Sequence, residues 1–188
     1  MTEREHDPLE ELIRLSEPEE RWDLYDAEGN RTGRTQRRGD VFADGDRHLC
    51  VHVWVQNSRG EYLLTRRAPE KCMPGLWECT GGSALAGEDS LTAALRETRE
   101  ETGLRLDPGR GELLFRFSGE HYFCDVWRFR QDVTLEQVVL RPGETCGKRF
   151  ADRETVRRLK REGRFFAFED LERVLDWCEG EDARPDSR

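Results

Sequence analysis

Glu97, Glu100 and Glu101 stand at i, i+3 and i+4, and an α-helix would bring all three carboxylates to one face, within side-chain reach of one another. Three anions gathered in this way repel. Either the face is an ordinary solvated one balanced by Arg96 and Arg99, or it is built to hold something cationic. The flanks favour the second reading. Gly82 and Gly87 permit a tight loop and close backbone approach ahead of the helix, and Glu88 returns beside it. Carboxylates beside a backbone carbonyl make a hard-oxygen cage, which suits Mg2+, with Mn2+ as the alternative, and such a cation in turn suits a substrate carrying phosphates. Arg96, next to Glu97 and one helical turn before Glu100, can orient a carboxylate and keep it ionised.

A helix over Ser90 to Thr102 must carry these groups. Leu91, Ala94, Leu95 and Thr98 form its buried stripe, Asp89 or Ser90 caps its start, and Gly103 stops it. Ahead of it, Trp77 to Thr80 reads as a short strand running into a glycine loop, Gly81 to Gly87. Arg47 to Gln56 alternates Val51, Val53 and Val55 against Cys50, His52 and Trp54, so both faces look buried and the segment reads as a central strand. Its hairpin partner is Glu61 to Arg66, across Asn57-Ser58-Arg59-Gly60. An N-terminal hairpin pairs Trp22 to Asp26 with Arg31 to Gln36, and further strands fall at Glu112 to Ser118, His121 to Arg130 and near Arg149 to Ala151. Helices are expected at Arg153 to Arg161 and Glu169 to Cys178. The domain reading is an acidic lead-in over 1–20 with a short helix, a single domain over 21–178, and a disordered polar tail over 179–188.

Composition sets the outer limits. A chain of 188 residues can bury a core as one domain. With 40 acidic against 31 basic residues and a net charge of -9, it is poorly suited to holding nucleic acid by broad phosphate neutralisation. The longest uncharged apolar run, Leu49 to Asn57, is about half of the ~20 residues a membrane helix needs. Residues 1–7 mix charges without an apolar core of the secretory kind, and the six cysteines are dispersed, without a Cys-x-x-Cys pair. Together these features predict a soluble cytosolic protein with reduced thiols, no membrane and no nucleic-acid partner.

Gly82, five residues, Glu88, seven residues and then Arg96-Glu97-Thr98-Arg99-Glu100-Glu101-Thr102-Gly103-Leu104 resembles the Nudix box of the Nudix hydrolase superfamily. The departure is Thr98, where the family has a bulky aliphatic; a β-branched Thr can still face the core. The resemblance implies an α/β fold, a Nudix-like α/β/α sandwich around a mixed β-sheet, here with an N-terminal β-hairpin extension. It places the metal ligands on Glu97, Glu100 and Glu101 with the Gly81 carbonyl beside them, gives Gly82 and Glu88 supporting roles, and makes Arg96 and Glu97 part of the catalytic set. The family often draws a base or further ligand from a later loop. Glu144, in Pro142-Gly143-Glu144-Thr145, is the candidate, against the alternative of a turn carboxylate in water.

Residues from about 20 to 175, notably His48 to Glu61, Leu63 to Ala68 and Lys71 to Trp77, look like the isopentenyl diphosphate isomerase-like branch of that superfamily. The isomerase needs a catalytic Cys followed closely by Gly-His, whereas Cys79 precedes Thr80-Gly81-Gly82. Arg96-Glu97 matches the hydrolase version instead. Cys79 is therefore read as a small buried thiol, His48 as a strand-end hydrogen bonder and His52 as a core-facing imidazole. The expected activity is metal-dependent hydrolysis of a small organic diphosphate, of nucleoside-diphosphate type or another, by water attack at phosphorus. The alternatives are the isomerase reaction and a non-catalytic ligand sensor. Arg66, Arg67, Lys71 and Trp77 approach the glycine loop and could grip phosphate or stack a ring, although neighbours on a strand point oppositely and one of the two arginines is as well explained by solvent. The N-terminal hairpin either covers a sheet edge or exchanges between the subunits of a homodimer.

Overall fold

The computed structural model describes residues 20–166 and 171–182, with side chains through 177. Strand β1 (Arg21–Tyr25) and strand β2 (Arg31–Arg37) form a separate antiparallel hairpin, turned by Asp26, whose carboxylate accepts from the backbone of Glu28 and Asn30. The main sheet holds β3 (His48–Gln56), β4 (Tyr62–Arg67), β5 (Trp77–Glu78), β6 (Thr80–Ser83), β7 (Gly111–Ser118), β8 (Tyr122–Arg130) and β9 (Thr145–Ala151). Its spine runs β5-β4-β3-β8-β7, with β6 beside β3 and β9 beside β4. Among the described strand pairs β3 and β8 run parallel and the others antiparallel, so the sheet is mixed as expected.

The two-sided burial read into β3 decides the layering. Val51, Val53 and Val55 pack with Ala93 and Ala94 of helix α1 (Ser90–Thr102) on one face. Trp54, on the other face, packs with Val156 and Leu159 of α2 (Arg153–Arg161) and with Leu171, Val174 and Leu175 of α3 (Leu171–Asp182). Helices thus cover both faces of one sheet, each burying an apolar stripe that neither could shield alone. Among the described residues, no helix is long and apolar enough to cross a membrane.

Several boundaries differ from expectation. Gly81 and Gly82 belong to β6, not to a loop, because β3 supplies them with partners: His52 faces Gly81 and Val51 faces Gly82. β9 begins at Thr145 because β4 offers it partners as far as Arg67. Helix α3 continues to Asp182, into the segment read as a tail, while 183–188 and the lead-in before Glu20 lie outside the described residues.

A fork at β3 positions the site. Its C-terminal end pairs with β4 at Gln56 and Tyr62, whereas its first half pairs with β6. From β6 the chain turns through residues 84–89 into α1, which starts with Asp89 accepting from the Thr92 amide and ends at Gly103 with φ 70°. That left-handed stop is the conformation only glycine adopts freely.

Candidate active site

Arg96 is the hub of the carboxylate cluster. Its side chain is 1% exposed. Nε donates to Glu88 Oε1 at 2.8 Å and Nη2 to Glu88 Oε2 at 3.1 Å, while Nη2 also donates to the Ser83 carbonyl at 2.9 Å. Nη1 is shared between Glu97 Oε1 at 3.1 Å and Glu100 Oε1 at 3.3 Å. The one-turn spacing of Arg96 and Glu100 makes this contact local, and Glu88 becomes its third carboxylate because the turn after β6 folds back on the helix. Burial alone would loosen the Arg96 proton, but the Glu97, Glu88 and Glu100 charges outweigh it and raise its pKa. Gly82 makes room for this arrangement: a methyl there would land on the Glu97 carboxylate.

Glu101 turns to a second cation. Lys71 Nζ lies 3.4 Å from Glu101 Oε1 and 2.6 Å from Glu144 Oε2, tying the helix to the loop before β9. Arg141 Nη1 donates to Glu100 Oε2 at 3.2 Å from that same loop. Burial pushes the Glu97 carboxyl up to about 7, with Arg96 opposing and Glu100 adding, and pushes Glu101 up to about 8 despite Lys71. Glu144 goes the other way. Burial would raise it, but the hydrogen bond and charge of Lys71, with Arg141, hold it below the usual carboxylate range.

These groups line one cleft of about 190 Å3, together with Gly81, Gly82, Ser83 and three residues of the hairpin region, Glu20, Trp22 and Arg38. The expected ligand set (Gly81, Glu97, Glu100, Glu101), Arg96's partners and Glu144 therefore come together. Among the described residues, though, no three His, Cys, Asp or Glu side chains are arranged to hold a metal ion as they stand. The physical reason is visible in the contacts: Glu97 and Glu100 are drawn to Arg96, and Glu101 toward Lys71 in another direction.

Of the four residues expected at the substrate, only Lys71 lines this cleft. Arg67 turns into an adjoining recess with His52, Glu78 and Cys79, where it pairs with Glu78 at 2.5 Å and lies 4.4 Å above the Phe166 ring. Arg66 is exposed and donates to the Gly75 carbonyl, and Trp77 packs against the core with Arg149 over its ring, so neither reaches the carboxylates. Opposite directions for successive strand residues separate the two arginines. Arg96, expected in the catalytic set, is buried behind the carboxylates and acts through them. Cys79 is 2% exposed in the core, as read. His48 stacks on Trp22 with ring centroids 4.3 Å apart. Sequence reasoning missed Glu20, Trp22, Arg38 and Arg141 as cleft residues; only Arg141, close before Glu144, carried a local signal.

The donor set fits a divalent cation on two observations. Three largely buried carboxylates face one small cleft, and Glu101 Oε2 is buried with no hydrogen-bond partner. Buried anionic oxygens left without a donor are costly unless a cation meets them.

Comparison with known proteins places the chain among relatives. The family profile "NUDIX domain" matches residues 46–184. The chain is 35% identical over 151 residues to an uncharacterised Nudix hydrolase of Listeria monocytogenes, covering 79% of this chain and 89% of that protein. It is 36% identical over 131 residues to an isopentenyl-diphosphate Delta-isomerase of Cutibacterium acnes, covering 63% and 66% of the two chains. Among solved structures, the DR0079 protein of Deinococcus radiodurans superposes with a TM-score of 0.69 at 26% identity, covering 85% of this chain and 99% of that one.

Proposed function

Because this chain belongs to the Nudix hydrolase family and is a Nudix-type pyrophosphohydrolase, we propose that it hydrolyses a small organic diphosphate, of nucleoside-diphosphate type or another, in a Mg2+-dependent reaction that Mn2+ also supports. The observation that carries the reading is the cleft in which Glu97, Glu100 and Glu101 face Lys71 and Arg141 beside Gly81. Glu97, Glu100, Glu101 and the Gly81 carbonyl would hold the cation. When bound, a divalent cation neutralises charge that develops on the diphosphate oxygens.

The chain's own residues do the remainder. Arg96 bridges Glu97 and Glu100 through one nitrogen, so that their oxygens are fixed before substrate arrives. Lys71 faces the cleft as a point charge suited to a phosphate oxygen. Two carboxylates can take the attacking water's proton. Glu144 is tied to Lys71 and kept acidic, which makes it a weak base; Glu97, on the helix and raised by burial, is the better acceptor.

The test is a panel of diphosphates, including isopentenyl diphosphate, incubated with Mg2+ or Mn2+ and followed by phosphorus NMR. Cleavage of a P–O–P link that stops when the cation is chelated is expected. Conversion of isopentenyl diphosphate to dimethylallyl diphosphate without phosphate release would replace hydrolysis with isomerisation. No turnover of any member would favour a ligand sensor.

A further inference from the structure

The hairpin β1–β2 lies ahead of the segment that matches the family profile, which begins at residue 46, yet it is built into the turn that sets the carboxylates. Three consecutive residues of that turn are held by it. The Ala86 amide donates to the Arg21 carbonyl at 2.7 Å, the Gly87 amide donates to Asp23 Oδ2 at 2.9 Å, and Arg31 Nη2 donates to the Glu88 carbonyl. Asp23 and Arg31 also pair with each other, Nε to Oδ2 at 3.3 Å, and Arg31 Nε donates to the Tyr25 hydroxyl at 3.2 Å. The clamp is therefore itself braced. From its other side the turn is gripped by the box: Glu88 Oε2 accepts from the Leu85 amide at 2.8 Å and from Arg96.

We propose that the N-terminal hairpin is a working part of the active site, with Asp23 and Arg31 as positioning residues that fix the Gly87–Glu88 turn and, through Glu88, the guanidinium that spaces Glu97 and Glu100. The chain of contacts is continuous: Arg31 to the Glu88 backbone, the Glu88 carboxylate to Arg96, and Arg96 to both glutamates. Gly87, at φ 90°, has no side chain with which to brace its own position, and the hairpin supplies a partner for its amide through Asp23. The same hairpin region walls the cleft with Trp22 and Arg38. The kinetic consequence rests on the hydrolase reading; the structural one does not.

Full-length Arg31→Gln, Arg31→Lys and Asp23→Asn test it through three readouts: hydrogen exchange of the Ala86, Gly87 and Glu88 amides, Mn2+ uptake by calorimetry, and kcat against KM on a diphosphate the wild type cleaves. For Arg31→Gln we expect exchange at these amides to accelerate about tenfold or more, and Mn2+ affinity and kcat each to fall about 10- to 100-fold with KM within about twofold, the range for loss of an outer-shell partner. Arg31→Lys should recover part of the loss, since an ammonium keeps the charge and can still donate to the Glu88 carbonyl. Unchanged exchange in Arg31→Gln overturns the proposal, as does a kcat loss that disappears once variants are compared at equal distance below their melting temperatures. A wild type that binds no Mn2+ and cuts no diphosphate defeats the hydrolase reading instead, and the exchange data still decide the clamp.

Discussion

Arg96 spends its donors on Glu88, Glu97, Glu100 and the Ser83 carbonyl while its side chain is 1% exposed. A planar fork can satisfy that many acceptors at fixed angles, which a lysine ammonium cannot. The consequence is a division of labour: Arg96 keeps the cluster assembled, whereas Glu100 and Glu101 present oxygens to the cleft. Replacing either by Gln preserves shape and removes charge. Glu100→Gln and Glu101→Gln should each lower kcat by orders of magnitude with Mg2+ present, while melting temperatures stay within about 4 °C of wild type, a shift that corresponds to about 1 kcal/mol in a chain of this size. Steady-state kinetics and thermal melts check both halves. Retained activity in the two variants would remove the metal reading of this face.

Helix α1 carries separable signals for stability and for chemistry. Asp89 caps its N-terminus by accepting from Thr92 and touches no group of the cleft. Asp89→Ala should cost about 1 kcal/mol, the usual worth of an N-cap, and leave kcat unchanged. Gly82, on the neighbouring β6, is the reverse case: an added methyl would strike the Glu97 carboxylate. Gly82→Ala is expected to reduce kcat at least about tenfold, since a carboxylate displaced by about 1 Å loses its productive geometry. Chemical denaturation and kinetics on the pair should give opposite orders of severity. The helix limits and its stop were legible from the chain, and its cap to within one residue, Asp89 or Ser90, because each depends on residues within one turn of the position concerned. The extent of β6 was not, since only pairing with β3 turns two glycines into a strand.

At the scale of the whole molecule, the hairpin docks on the start of β3 through a bridge of Tyr25 and Arg47 and an aromatic stack of Trp22, His48 and Phe42. Burial in that stack, with His121 nearby, lowers the His48 pKa to about 4 from an ordinary 6.5. The sign follows from proton counts. Between those two values the unfolded chain binds a proton that the folded chain refuses, so folding is destabilised as pH falls through the window and the loss is complete near the folded value. A His48→Phe variant removes this group while keeping a ring to stack. Urea midpoints measured from about pH 7 to about pH 4 should show the variant gaining on wild type as acidity increases; a constant gap would mean that His48 does not carry the effect.

The chain by itself determined the carboxylate helix, the glycine approach, the two-faced central strand and the Arg96–Glu100 pairing. Each is a matter of spacing along a regular element, and periodicity and capping are written in neighbouring residues. Lys71 was among the cations the chain offered, but which of its neighbours would join it before those carboxylates was decided only in three dimensions. Lys71, Arg141 and Arg38 reach the cleft, with Trp22, from four separate stretches, while Arg66, Arg67 and Trp77, which flank Lys71 in sequence, are turned away from it. Strand alternation, the fork at β3 and the docking of a hairpin from outside the matched domain set those directions, and all three arise from contacts between residues far apart along the chain.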